Sequence, residues 1–322
     1  MSQNTFIMKI LLTGGTGFIG SHVLMRLLQD GHEVTVFARN PEKIPALINV
    51  KNVRILNISL NDFKAIPQAL KGQDAVIHIA LCMTGSSAYE VLTSDTAATV
   101  FLATEAAKAG VKRFLYTSST ASVDSVYASP NPVCIKPGDK SVTINCRHDP
   151  CTYYGATKAA SEDFLFAIEG ETNMKVNIIR PGYTFGNPAI DGAPTQPDTR
   201  FMSIVQAALE NKDIHVVKND GTQFIWADDI AEVYAALVKK DVSKKTYFAL
   251  SKEFVTWEQI AHDAVKLFSS KSNVIVEDLG WSDEPLLFDV SNIKKDFNLE
   301  FSAYPHILSH LKYFQKMISK EK

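Results

Sequence analysis

The eight residues Thr13-Gly14-Gly15-Thr16-Gly17-Phe18-Ile19-Gly20 limit what this chain can fold into more than any other stretch. An apolar run from Phe6 to Leu12, broken only by Lys9, leads into them, and Val23, Leu24, Leu27 and Leu28 follow at helical spacing. The order is strand, glycine turn, helix. Glycines 15, 17 and 20 fit the G-x-G-x-x-G fingerprint, in which the turn is tight, the backbone can approach a pyrophosphate, and the helix N-terminus meets the negative charge. The candidate cofactor contacts here are Gly14, Gly15, Thr16, Gly17, Phe18, Ile19 and Gly20.

A second strand is expected over Glu33 to Ala38, ending where the fingerprint places a carboxylate for the adenosine ribose. Ala38 and Arg39 stand there instead. A guanidinium offers a 2'-phosphate a bidentate fork, whereas a carboxylate repels it. NADP is therefore expected over NAD, with Lys43 adding a second positive charge from the loop and NAD as the alternative.

Up to about Arg180 the sequence alternates short apolar runs at 53–58, 74–81, 112–117 and 175–180 with helical patterns at 62–70, 89–109 and 154–169. Such alternation marks a parallel sheet covered on both faces. Beyond Gly186 the texture changes to Pro188, Gly192, Pro194 and Pro197, followed by a helix near 201–211 and a strand near 214–218. Ile225 to Asp229, a helix to about Lys239 and a strand from Thr246 to Leu250 are expected to return to the main sheet. Helices at 257–268 and 304–318 complete a second lobe. The expected class is α/β: a Rossmann-type doubly wound parallel sheet with a smaller C-terminal α+β lobe. Residues 1–184 and 221–250 would bind NAD(P), and residues 185–220 and 251–322 the substrate.

Tyr154 and Lys158 lie four residues apart at the start of a helical pattern and so share a helix face. A lysine beside a tyrosine stabilises the phenolate, so the phenol pKa is expected to fall from about 10 toward neutrality, which is general acid-base chemistry. The bulk numbers suit such an enzyme. The chain has 322 residues, 46% of them hydrophobic, and 33 basic against 35 acidic side chains give a net charge of -2, which argues against nucleic acid as a partner. No run approaches the roughly 18 apolar residues of a membrane helix, and a cleaved leader would remove the glycine loop, so a cytoplasmic protein is expected. Cys82, Cys134, Cys146 and Cys151 match no familiar zinc spacing, so no metal is expected and the cysteines read as reduced thiols. Residues 124–152 carry four prolines and no helical period, and loops of that length are often substrate-facing.

Taken in order, these elements resemble the extended short-chain dehydrogenase/reductases, the NAD-dependent epimerase/dehydratase family. The matching residues are the glycine loop, Val76-Ile77-His78-Ile79-Ala80, Phe114-Leu115-Tyr116-Thr117-Ser118-Ser119, Tyr154 to Lys158, Arg180-Pro181-Gly182 and Ala227-Asp228-Asp229-Ile230-Ala231. The resemblance implies that Tyr154 gives or takes the proton, that Lys158 lowers its pKa and bonds the nicotinamide ribose, and that Ser119 holds the reacting oxygen. It places Asn57 and Ile58 near adenine, Ala80 along the cofactor, and Pro181 and Gly182 past the nicotinamide. His78 reads as a buried strand histidine. A homodimer is expected, paired through the alanine-rich helix from Ala97 and the helix carrying Tyr154.

Departures from the family pattern narrow the chemistry. Thr120-Ala121 stand where sugar-nucleotide dehydratases carry Asp-Glu, which disfavours dehydration, and Gly221 to Ile225 lacks the arginine that many epimerases place on a diphosphate. The asparagine usual before the fifth strand is missing, with Asp95 or Thr96 nearby. The resemblance thus implies hydride transfer between the nicotinamide and a secondary alcohol or ketone of a small molecule or sugar, either as a net reduction or within an epimerisation. The alternative is a non-catalytic NADP-binding or redox-sensing module.

Overall fold

The computed structural model describes residues 7–47, 50–123 and 141–320. Its centre is a seven-stranded, wholly parallel sheet of β1 (Lys9–Thr13), β2 (Glu33–Phe37), β3 (Val53–Leu56), β4 (Ala75–His78), β5 (Arg113–Thr117), β6 (Lys175–Pro181) and β7 (Lys245–Ala249). The spatial order is β7-β6-β5-β4-β1-β2-β3. The order reverses direction beside β1, and in doubly wound sheets ligands bind at that switch point, outside the carboxyl ends of the strands. The expected Rossmann-type sheet is present.

Burial explains the apolar runs. Ile10 and Leu12 enter the core on one face of the sheet while Leu11 enters the core on the other, because successive strand side chains point to opposite faces. Each such side chain contributes at most about 1.5–3 kcal/mol on burial. Helices α1 (Phe18–Gln29) and α5 (Ala227–Lys239) supply the first face, and α2 (Ala97–Lys108) and α3 (Tyr153–Glu171) the second. A separate, strongly aromatic core joins α4 (Arg200–Leu209), α6 (Trp257–Leu267) and α7 (Tyr304–Lys320). There Phe185 stacks on Phe201 at 5.3 Å, and Phe224 meets Trp257 edge-on at 5.1 Å.

Several elements differ from expectation. Helix 62–70 shrinks to Ile66–Ala69 because Pro67 stands in its first turn and blocks extension upstream. The expected helix 89–109 is three pieces: Ala88–Val91, a π-helical turn at Leu92–Thr96, and α2. Ile225–Trp226 does not rejoin the main sheet but pairs with Thr184–Phe185, whereas β7 does return, beside β6. Strand 214–217 finds a parallel partner in Val274–Glu277, which is too exposed and too short to show a strand period. Of the long loop 124–152, residues 124–140 lie outside the described residues, and Ser141–Val142 pairs with Leu287–Phe288. Cys146 is not a reduced thiol but disulfide-bonded, a pairing that chain spacing does not reveal.

Candidate active site

The glycine turn emerges from β1 with its conformation dictated by contacts. Gly14 has φ +75°, and a Cβ there would lie 2.7 Å from the Ala80 backbone nitrogen. At Gly20 a Cβ would sit 2.0 Å from the Gly14 carbonyl oxygen, so α1 can pack this close only without a side chain. Gly15 is constrained too, since a Cβ there would lie 2.9 Å from Val36 and 3.1 Å from Leu12, so Gly14 joins the three fingerprint glycines in shaping the loop. Gly17 caps α1 without any side-chain hydrogen bond, leaving first-turn N–H groups for an anion.

A cleft of about 420 Å³ opens over this loop. Gly14, Thr16 to Gly20, Arg39, Ile58 and Ala80 line it, as do Ser59, Cys82 and Pro197, which carried no signal in the sequence. Arg39 is exposed at the rim, beyond the end of β2. Asn57 is exposed and is not among the lining residues; the Lys43 side chain lies outside the described residues. The cradle fits a dinucleotide: glycine backbone for a pyrophosphate, apolar walls from Ile58 and Leu60, and a guanidinium at the ribose end. Below it, Thr13 Oγ1 accepts the N–H groups of Ile79 and Ala80 and bonds His78 Nδ1 at 2.6 Å. His78 Nε2 bonds Thr99, and burial pushes its pKa down to about 3, so it is a neutral structural histidine.

Tyr154 and Lys158 project from the first turns of α3, whose N-cap Thr152 accepts the Gly155 N–H at 3.0 Å. A Cβ at Gly155 would lie 2.1 Å from the Ala121 carbonyl oxygen, so glycine lets α3 close on the loop after β5. Tyr154 stands near Ser119, whose hydroxyl favours the phenolate. The adjacent Ser118 is buried and donates to Glu162. Lys158 is buried, its Nζ donating to the Thr117 carbonyl at 3.2 Å and standing 5.7 Å from the Tyr154 ring centre.

The electrostatics differ from the simple Tyr-Lys expectation. Burial raises the Tyr154 pKa rather than lowering it, with the Ser119 hydroxyl opposing and Asp95 reinforcing the rise. Burial also lowers Lys158, against the pull of Asp95 and Glu162. Asp95 stands on the π turn, a common device at functional sites. One of its oxygens accepts the Cys82 N–H at 2.9 Å, and the other is buried without a hydrogen-bond partner. A positive nicotinamide ring beside the phenol would lower the pKa that burial raises.

A second group that sequence reasoning missed braces α3. Glu162, fully buried, takes a bidentate Arg180 at 2.6 and 2.9 Å, and His148 at 3.0 Å. Its pKa falls to about 2; burial opposes this, and the bonds from His148 and Arg180 overcome it. Among the described residues no cluster of three His, Cys, Asp or Glu could hold a metal, and no helix is long and apolar enough to cross a membrane.

Ser119 continues into Thr120 and Ala121, which with Gly182 form one wall of a separate cavity of about 370 Å³. Pro181 closes β6, and Gly182 follows, where a Cβ would strike Leu250 at 2.5 Å. Of the catalytic candidates, Ser119 is the chain neighbour of this wall, and neither it nor Tyr154 or Lys158 is among the described lining residues of the two cavities.

A profile of the NAD dependent epimerase/dehydratase family matches residues 10–249. The chain belongs to this family. The match runs from β1 to the last residue of β7, taking in the glycine loop, Ser119, Tyr154 and Lys158, and stops before Phe254, Trp281, Leu286 and Phe288 of the second chamber. Among similar proteins, the 3 beta-hydroxysteroid dehydrogenase/Delta 5-->4-isomerase of Mycobacterium tuberculosis is 31% identical over 233 residues, covering 66% of this chain and 59% of that protein. The chain thus spans about three-fifths of that relative's length. The UDP-N-acetyl-alpha-D-glucosaminuronate decarboxylase of Bacillus cytotoxicus is 26% identical over 281 residues, 83% of this chain and 82% of that protein. In structure, UDP-glucuronic acid 4-epimerase from Bacillus cereus, solved in complex with NAD, superposes with a TM-score of 0.77 over 96% of this chain and 99% of that one, at 18% identity.

Proposed function

We propose that this family member is an NAD(P)-dependent enzyme that transfers hydride between the nicotinamide and a secondary alcohol or ketone, with NADP preferred. The observation that carries the reading is the meeting of Ser119, Tyr154 and Lys158 at the start of α3, beside Thr120 and Ala121 of the second chamber's wall. Relatives named as a hydroxysteroid dehydrogenase and an aldehyde reductase support redox chemistry. NAD in the structural neighbours supports the cofactor class, and Arg39 at the cleft rim supports NADP within it.

When bound, the nicotinamide supplies or accepts the hydride. In the direction of reduction, hydride adds to the carbonyl carbon, the carbon–oxygen π bond opens, and Tyr154 delivers its proton to the oxygen. Ser119 donates a hydrogen bond to that oxygen, where negative charge grows in the transition state. Lys158, held on the Thr117 carbonyl, stabilises the phenolate that Tyr154 becomes. Oxidation runs the same steps backwards. Thr120 and Ala121, in place of an acidic pair, leave no second acid-base group for dehydration at that position. In this reading residues 1–184 and 221–250 serve the cofactor, and residues 185–220 and 251–322 the substrate. The chain pairs with itself through α2 and α3, where Tyr153 and Phe164 are exposed.

The test incubates the full chain with NADPH or NADH and a panel of ketones and sugars, following absorbance of the reduced nicotinamide. Released ligands from denatured protein, identified by mass spectrometry, extend the panel. Cofactor consumption, or epimerisation of a panel member seen by chromatography of the products, supports the reading, whereas cofactor binding with neither outcome on any panel member or released ligand returns the chain to a non-catalytic module.

A further inference from the structure

The second chamber is walled by Tyr183, Leu250, Phe254, Trp281, Leu286 and Phe288 around the wall that follows Ser119. None of its described lining residues carries a charge; the polar side chains are Thr120, Thr222 and Gln223, besides the Tyr183 phenol. Gln223 has no amide hydrogen to spare. Its Nε2 donates to the carbonyls of Ser251 and Phe288, and its Oε1 accepts the Phe288 N–H at 2.7 Å.

Arg200, beside Tyr183, and Arg180, close in the chain to Gly182, both have acidic partners. Arg200 stacks on Trp257 with its guanidinium carbon 4.2 Å from the ring centre, 5.4 Å from that of Tyr183, and pairs with Asp198 at 2.9 Å and Asp220 at 3.7 Å. Arg180, two residues before Gly182, is buried on Glu162. Among the described lining residues a diphosphate entering here would meet no cation, and burying its charge unpaired would cost several kcal/mol. An uncharged ring system meets four aromatic side chains and two leucines instead.

We infer that the substrate is an uncharged, apolar, ring-bearing ketone or secondary alcohol, seated in this aromatic chamber with its oxygen toward Ser119 and Tyr154, and not a nucleoside-diphosphate sugar. The inference rests on the hydride-transfer reading above and names the substrate class of that site. Trp281 is half exposed and so serves as the outer wall, while Phe254 reaches toward Gly221, where a Cβ would stand 2.8 Å from its ring.

The experiment measures binding, by calorimetry on the full chain loaded with NADP+, of acetophenone and 2-tetralone as uncharged ring ketones and of UDP-glucose as the charged alternative. The wild type should bind a ring ketone saturably and UDP-glucose at least tenfold more weakly. Trp281→Ala and Phe254→Ala should each weaken ketone binding by roughly tenfold, the scale of a lost aromatic contact and its buried area, while NADP+ affinity and melting temperature hold. UDP-glucose binding more tightly than both ketones, or ketone binding unchanged in both variants, would overturn the inference. The two readings fail separately. Ketone binding that depends on Trp281 and Phe254 without any hydride transfer supports the chamber's assignment and removes the catalytic reading. Turnover of UDP-glucose without ketone binding does the reverse.

Discussion

The cleft over the glycine loop and the aromatic chamber next to Thr120 and Ala121 are built in opposite ways. The cleft is largely backbone: Gly14 at positive φ, Gly20 against the Gly14 carbonyl, and the uncapped first turn of α1, all within a few residues of one another. The chamber is side chain, drawn from separate segments at 120–121, 182–183, 221–223, 250–254 and 281–288. Backbone recognition of a pyrophosphate needs particular residues at particular spacings, whereas an apolar chamber needs only bulk and shape from whichever segments the fold brings near. The first arrangement ties the chain to a cofactor shared across its family. The second leaves the substrate free to differ between members of that family.

If this contrast is right, damage to the cleft and to the chamber should separate. The largest effect on cofactor binding is expected from Gly14→Ala, which adds a side chain at φ +75° and 2.7 Å from a backbone nitrogen. Strain of about 1–3 kcal/mol implies a roughly 5- to 150-fold loss of NADPH affinity in a fluorescence titration. Equal NADPH binding would show that the loop is not the cradle. A smaller effect is expected from Arg39→Ala, which should remove a preference for NADPH over NADH of about 1–2 kcal/mol, the worth of one charge-assisted bond. An unchanged ratio would assign the 2'-phosphate to another group or leave NAD as the cofactor.

The smallest effect is a displacement in pH and not a loss. Asp95→Asn keeps an oxygen for the Cys82 N–H but removes the anion that faces Tyr154 and Lys158 on α3 and Tyr116 on β5. Asp95 raises both the phenol and the ammonium, so its neutralisation lowers both. Reduction, which needs protonated Tyr154, should lose rate at a lower pH than in the wild type. Oxidation, which needs the phenolate, should gain rate from a lower pH. Coincident profiles for variant and wild type would show that Asp95 serves only to hold Cys82.

What could be read from the sequence follows the same division. The parallel sheet was legible because strands buried on both faces are unbroken apolar runs, as in Ile10-Leu11-Leu12 and Val76-Ile77. The glycine loop and the Tyr154-Lys158 pair were legible because their geometry is local. The constraint on Gly14 lies outside the three-glycine fingerprint, since it shows only as a positive φ and a contact with Ala80 on the neighbouring strand's end. Tyr154 was expected to ionise more easily, but burial raises its pKa and Asp95, on a separate element, adds to the rise, neither of which the Tyr-Lys spacing shows. The Glu162, Arg180 and His148 brace, the Cys146 disulfide and the chamber walls depend on tertiary proximity, for which single residues carry no period or spacing.

The central claim is that Tyr154 moves the proton while the cleft independently holds the cofactor, and Tyr154→Phe tests it most directly. The substitution keeps the ring and removes the hydroxyl. With a ring ketone or the released ligand as substrate, turnover should fall by roughly 100- to 10,000-fold, the usual worth of a general acid or base, while NADPH affinity stays within about twofold of wild type. Turnover close to wild type in a folded, NADPH-binding variant would contradict the account.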